Sequence, residues 1–236
     1  MKAQRPVHRT IVVVDVEGFG DRRRTNRDQL AVRDGLYRTV GEAFQQVGLP
    51  WDAEAREDRG DGMFVLIPPE VPKSLLVEAL PSALAAALEA HNGARAGQER
   101  IRLRMALHAG EVNYDQYGVT GASINLAFRL VDAGPLKAAL AGSPGVLAII
   151  VSSWFFEEVV RHLAPDDAAL YRPVLVAVKE TTTTAWICLP DHPVRADGVL
   201  EGLPGAFAPV PPSPYQGLRA FERADRDLFF GRAGAM

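Results

Sequence analysis

The 236-residue sequence predicts an α/β (α+β) fold, a ferredoxin-like βαββαβ sandwich with extra strands at its C-terminal end. Three observations predict it. A continuous β-branched run opens the chain, two apolar stripes of helical period follow, and alternating or unbroken apolar runs separate them.

Residues 10–16 (TIVVVDV) read as a strand buried on both faces. Asp15 stands at its end, and Glu17-Gly18-Phe19-Gly20 follows as a loop that can bring backbone close to a ligand. Residues 26–47 are helical, with Leu36, Val40, Phe44 and Val47 on one stripe and Gly48 and Pro50 as the stop. Residues 51–67 read as a hairpin, two extended runs turning through Arg59-Gly60-Asp61-Gly62. A second helical stretch spans 71–91 on Leu76, Leu80, Leu84 and Leu88, with Pro81 as a kink.

Residues 101–108 alternate. Ile101, Leu103, Met105 and Leu107 take one face and Arg102, Arg104 and His108 the other, which puts His108 at a surface or interface. A short helix over 121–133, extended or followed by residues 136–140, precedes a strand at 147–151. A helix at 153–162 and a strand pair at 171–178 and 185–189 complete the pattern. The first six elements run β-α-β-β-α-β, and the helices are expected to pack on one face of the sheet.

Composition narrows the function. Hydrophobic residues at 47% exclude disorder over most of the length. A formal net charge of -3 supplies no global positive field for nucleic acid or an anionic membrane, and paired strand aromatics of an RNA-binding domain are missing. No apolar run approaches the ~20 residues that span a bilayer, and the N-terminus carries no signal core, so the expected compartment is cytoplasmic. The single cysteine, Cys188, excludes an internal disulfide framework and reads as a core filler.

Two aspartates carry chemistry. Asp15 ends a buried strand and Asp61 sits between glycines at a hairpin tip, so a split βαβ sheet lets both carboxylates converge beside the Gly18 loop. Gly-Asp-Gly turns are common, which leaves a turn residue and a strand-end cap open. Asn125 and Arg129 in GASINLAFRL lie one helical turn apart on one face, an amide and a guanidinium suited to a ribose and a phosphoryl oxygen, or a surface residue and a salt bridge. Arg22-Arg23-Arg24 reads as a solvated charge run.

In order and spacing, Val14-Asp15-Val16-Glu17-Gly18-Phe19, Arg59-Gly60-Asp61 and Asn125-Leu126-Ala127-Phe128-Arg129 resemble the class III nucleotidyl (adenylate/guanylate) cyclase homology domain. MALHAGEV at 105–112 is similar to the strand that precedes the last motif. The resemblance spans roughly residues 8–190, and residues 1–190 are expected as one cyclase-homology domain. It implies a lyase of signal transduction that converts an NTP to a 3′,5′-cyclic NMP and pyrophosphate.

By position, Asp15 and Asp61 match the metal aspartates that hold two Mg²⁺ or Mn²⁺ ions per site, and the backbone of Val16, Glu17, Gly18 and Phe19 matches the phosphate loop. Asn125 matches the ribose-orienting asparagine, Arg129 the transition-state arginine, and Lys179 the phosphate-contacting lysine. Glu180 stands where a glycine usually follows that lysine, and Gly20 where a Thr or Ser is common. The resemblance also implies a homodimer, the aspartates from one subunit meeting the Asn/Arg pair of the other.

Glu57 occupies the base-reading position that is glutamate in guanylyl cyclases. Its partner position is Gly118, where the family usually has Asp, Cys or Thr. GTP or ATP is thus the implied substrate, with a pyrimidine NTP still open. The alternative is a catalytically silent cyclase-homology module that senses nucleotide and regulates an attached NTPase. Residues 191–213 read as a Pro-rich linker, with seven prolines from Pro190 to Pro214. Residues 214–236 resemble the truncated start of a STAND-type NTPase domain, without a Walker A motif.

Overall fold

The computed structural model describes residues 5–193. The Pro-rich linker, but for its first residues, and the STAND-like segment lie outside the described residues.

Among the described residues one eight-stranded sheet runs in the order β2 (Arg56–Asp58), β3 (Gly62–Ile67), β1 (Val7–Val16), β4 (Leu103–Asp115), β6 (Leu147–Ser152), β8 (Thr181–Cys188), β7 (Arg172–Val178), with β5 (Gly118–Thr120) paired to β4. β1 (Val7–Val16) lies between β3 (Gly62–Ile67) and β4 (Leu103–Asp115), antiparallel to both. The period of two explains this central place. Val12, Val14 and Val16 feed one apolar cluster while Ile11 and Val13 feed a second on the opposite face. Strands β3 and β4 split the same way, as does β6 (Leu147–Ser152), which joins β4 in parallel.

The expectation that helices cover one face is corrected by this pattern. Strands apolar on both sides need cover on both. α1 (Asn26–Gln46), α2 (Leu75–Glu78), α3 (Leu80–Gly93) and Phe155 of α6 (Ser153–Glu158) bury one face. α4 (Ala122–Val131) and α5 (Gly134–Ala141) bury the other. A short α7 (Pro165–Ala168) leads to the closing hairpin of β7 (Arg172–Val178) and β8 (Thr181–Cys188). Among the described residues no helix is long and apolar enough to cross a membrane.

Local chemistry sets the boundaries. Thr25 and Asp28 form a reciprocal capping box at the start of α1, and Gly48, just past its Val47 C-cap, turns the chain away at φ +74. Pro81 does not kink a long helix. The run breaks at Ala79, and Pro81 sits in the first turn of α3, where its missing N–H costs nothing.

The predicted hairpin is also shorter than expected. β2 is only Arg56–Asp58, preceded by a single 3-10 turn at Ala53–Ala55. Trp51 instead packs on Phe44 of α1, ring centroids 5.2 Å apart, with the Arg56 guanidinium over its ring. The segment before β2 is therefore drawn onto a helix rather than into the sheet.

His108 is another correction. It is 8% exposed, and its Nδ1 lies 2.8 Å from Ser152 Oγ. Alternation read its side of β4 as solvent, but that side lies under the second helical layer. Burial, with His8 nearby, pushes the imidazole down to about 4 from its ordinary 6.5. Cys188 is buried, as expected, and burial pushes its thiol up to about 12.

Candidate functional site

The C-terminal end of β1 brings the acidic residues together. Asp15 stands opposite Gly62 of β3 and Arg104 of β4 in the strand register. Asp61 precedes β3 in the tight turn, and its carbonyl accepts a 3.0 Å hydrogen bond from the Val16 N–H. The two aspartates therefore flank one backbone junction. Gly62 is required there, because a Cβ would lie 2.2 Å from the Val14 carbonyl oxygen.

The turn is braced from outside. Gly60 adopts φ +85, and its N–H donates to Asp58 Oδ1 at 2.9 Å. Arg33 of α1 clamps both Asp58 oxygens, at 3.0 and 2.5 Å, and donates to the Gly60 carbonyl. This fixes the hairpin tip against α1 without touching Asp61.

Asp15 is partly buried and ion-paired with Arg104, whose side chain is 13% exposed. Burial raises the Asp15 pKa, the guanidinium opposes that rise, and the charge of Asp61 adds to it. The two carboxylates thus sense each other. Arg104 keeps a donor in reserve, because its Nε is buried without a partner.

A cleft of about 430 Å³ opens beside this pair, with Asp15, Asp61, Arg59, Arg104, Arg129 and Lys179 on its walls. Asp132 and Lys137 complete its charged lining, which makes five cations against three carboxylates. Such an excess favours an anion. Two hard oxygen donors at one end suit a divalent cation. Among the described residues no group of three or more His, Cys, Asp or Glu gathers. A cation on Asp15 and Asp61 would therefore draw its other oxygens from a bound phosphate, as Mg²⁺ commonly does.

Arg129 lies near the end of α4, its side chain 18% exposed, and donates to both Glu180 oxygens at 2.6 and 3.2 Å. Glu180, the residue in the usual glycine position, thus holds this guanidinium. Lys179 beside it has φ +52 in the β7–β8 turn and faces the cleft. Asn125 is exposed on α4 and is absent from the lining of its own chain's cleft. So one chain brings together Asp15, Asp61, Arg129 and Lys179, and leaves Asn125 outward.

Glu57 and Gly118 adjoin each other across β2 and β5 (Gly118–Thr120). A Cβ on Gly118, which has φ +133, would sit 3.6 Å from Glu57 Oε1. Glu57 also accepts a 3.0 Å bond from Arg59, whose guanidinium lies 4.8 Å from the Phe64 ring centroid and 5.5 Å from that of Phe128. Arg59 therefore links this pair to the cleft wall.

The expected phosphate-loop residues Val16, Glu17, Gly18 and Phe19 follow Asp15 but are not among the residues lining the cleft. Val16 N–H is taken by the Asp61 carbonyl and Glu17 N–H by the Arg102 carbonyl. Among the described residues, Gly18 and Phe19 donate no backbone bond, and Gly18 has φ +63. Two amides rather than four remain for an oxygen ligand. In the arginine run, Arg23 pairs with Asp21 and Arg24 donates to the Arg100 carbonyl at 2.9 Å.

Sequence reasoning missed Arg104, Lys137 and Arg59. The arginine signal was present, since Arg104 alternates onto the same side of its strand as Arg102 and His108, but that side was read as solvent. Lys137 sits in a segment read only as a helical extension.

No protein-family model and no curated protein matches the sequence. Solved structures do match. The guanylyl cyclase Cya2 aligns over 78% of this chain and 93% of its own, at 19% identity and a TM-score of 0.55. An adenylate/guanylate cyclase/hydrolase from Silicibacter pomeroyi aligns over 79% and 99%, at 19% identity and 0.54. The catalytic core of a rhodopsin-guanylyl cyclase with converted specificity, in complex with ATPαS, aligns over 80% and 99%, at 16% and 0.54. The fold is that of a nucleotidyl cyclase domain.

Proposed function

We propose that the protein is a nucleotidyl cyclase that converts an NTP to a 3′,5′-cyclic NMP and pyrophosphate. The observation that carries this reading is the meeting of Asp15 and Asp61 at one strand junction, at the end of a cleft with surplus positive charge. In the reaction the ribose 3′-oxygen attacks the α-phosphorus, the bond to the pyrophosphate oxygen breaks, and the hydroxyl proton leaves to solvent.

Asp15 and Asp61 would hold two Mg²⁺ or Mn²⁺ ions, which supply charge neutralisation on the triphosphate and acidify the attacking hydroxyl. The other contacts fall to side chains of this chain and, for Asn125, of a second copy. Arg104, turning from Asp15 to the substrate, has its unpartnered Nε for a phosphate oxygen. Arg129, once free of Glu180, neutralises charge that develops on the reacting phosphoryl group. Lys179 contacts the phosphates, with the free amides of Gly18 and Phe19 at the flank. Glu57 accepts hydrogen bonds from a guanine edge, so GTP is the preferred substrate.

A second copy of the chain completes the site. Asn125 supports this, because it is exposed and does not line its own chain's cleft, so its amide is available to a nucleotide held by another protomer. Arg129, expected from the partner with it, lines the cleft of its own chain. The test is direct. Purified protein is incubated with each of the four NTPs and Mn²⁺, and pyrophosphate and cyclic nucleotide are measured. Turnover that disappears in Asp15→Ala and Asp61→Ala is expected. A confirmed dimer that turns over no NTP overturns the reading and leaves the silent regulatory module.

A further inference from the structure

The cleft holds a cation that the site resemblance does not assign. Lys137 lies on α5, whose apolar residues Leu136, Ala139 and Leu140 are buried under the sheet's second face. That packing fixes the helix and leaves Lys137 at the cleft beside Asp15.

α5 is also tied to the loop after β1. Arg102 donates to the Glu17 carboxylate at 2.6 Å, and the same side chain donates to the carbonyls of Leu140, Ser143 (2.7 Å) and Gly145 (2.9 Å). One arginine thus staples the end of α5 to the loop that carries the free amides of Gly18 and Phe19. The distance between Lys137 and that loop is therefore set by the fold rather than by chance.

The partner of Lys137 is weakly bound. It pairs with Asp132, and the two side chains are 43% and 58% exposed. An ion pair so open to water is readily exchanged for a better one. A phosphate oxygen in the cleft, carrying more charge and more acceptor sites than one carboxylate, is a better one.

We propose that Lys137 is a phosphate-binding residue, contributed by the same chain as Asp15 and Asp61, that leaves Asp132 to grip the leaving pyrophosphate end of the nucleotide. This rests on the cyclase reading above and adds to it a residue and a direction. The α-phosphate sits where the 3′-oxygen attacks, so a cation reaching in from α5 contacts the terminal phosphates, and its effect scales with their number. Asp132 is the parking place of the lysine when the site is free.

The test is calorimetric and needs no turnover. Binding of Mn²⁺ with a non-hydrolysable GTP analogue, of inorganic pyrophosphate and of GMP is measured for the wild type, Lys137→Ala, Lys137→Arg and Asp132→Asn. Lys137→Ala is expected to weaken the triphosphate analogue and pyrophosphate about tenfold to a hundredfold, and to leave GMP within about twofold. Lys137→Arg is expected to restore most of the loss. Asp132→Asn is expected to bind pyrophosphate at least as tightly as the wild type. Thermal melting confirms that each variant is folded. Equal weakening of GMP and pyrophosphate, or no change in Lys137→Ala while Asp15→Ala loses the Mn²⁺–nucleotide complex, overturns the role of Lys137 alone. A wild-type protein that binds none of the four NTPs overturns the cyclase reading as well.

Discussion

Gly62→Ala tests how the two aspartates are kept together. The new Cβ would lie 2.2 Å from the Val14 carbonyl oxygen and 3.1 Å from Asp15 Cα, both backbone atoms of the central strand. No rotamer change relieves such a contact. β1 and β3 must separate by about 1 Å at the Asp15–Gly62 pair, and the Val16–Asp61 hydrogen bond beside it weakens. Overpacking costs about 1–3 kcal/mol, and a rigid obstacle in the middle of a sheet belongs at the upper end, about 3 kcal/mol. With a urea slope of about 2 kcal/mol/M, the midpoint falls by about 1–2 M. Urea unfolding followed by far-UV circular dichroism measures it. Gly18→Ala is the control, strained at φ +63 but with nothing within 4 Å of its Cβ, so its cost is about 1 kcal/mol. A Gly62→Ala protein within about 0.5 kcal/mol of the wild type would refute the argument. So would unchanged Mn²⁺ affinity in a variant whose strands have parted.

Three further predictions follow from single side chains. His108 has a folded pKa of about 4 against 6.5 ordinarily, so its contribution is present in full above pH 6.5 and is lost as pH falls toward 4. That loss is about 2–3 kcal/mol, and urea midpoints at pH 7 and pH 4.5 should differ less in His108→Gln than in the wild type. Glu57→Lys should shift NTP preference away from GTP, read as relative turnover of GTP and ATP; an unchanged ratio means that Glu57 does not read the base. Glu180→Gly frees Arg129 and should raise turnover several-fold with the melting temperature unchanged, so a fall in turnover would show that Glu180 positions the guanidinium productively.

Much of this architecture was legible in the chain. Thr10 to Val16 read as a doubly buried strand, and it is the axis of the sheet. The weak point was an inference from alternation. Arg102, Arg104 and His108 mark a polar side of β4, and a polar side usually faces water. Here that side is covered by α4 and α5, so His108 is buried and Arg104 is turned to Asp15. Local spacing cannot show that a second helical layer will arrive from residues 122–141. The aspartates were legible because strand-end and turn chemistry is local. Lys137 was not, because its position depends on how α5 docks against distant strands and on the hold of Arg102 over a loop far earlier in the chain.

The pairing of Glu57 with Gly118 sits on the two shortest strands, β2 and β5, at the margin of the sheet. Asp15, by contrast, stands at the end of its central strand. Mutations at the margin should have little bearing on the cooperative unfolding of the domain, whereas changes at the centre disturb it. Under the proposed cyclase reading, nucleobase choice would rest on this margin and would meet the phosphate end of the cleft through Arg59. Substrate preference would then be the property most open to drift, and to deliberate redesign, by exchanging one or two peripheral residues.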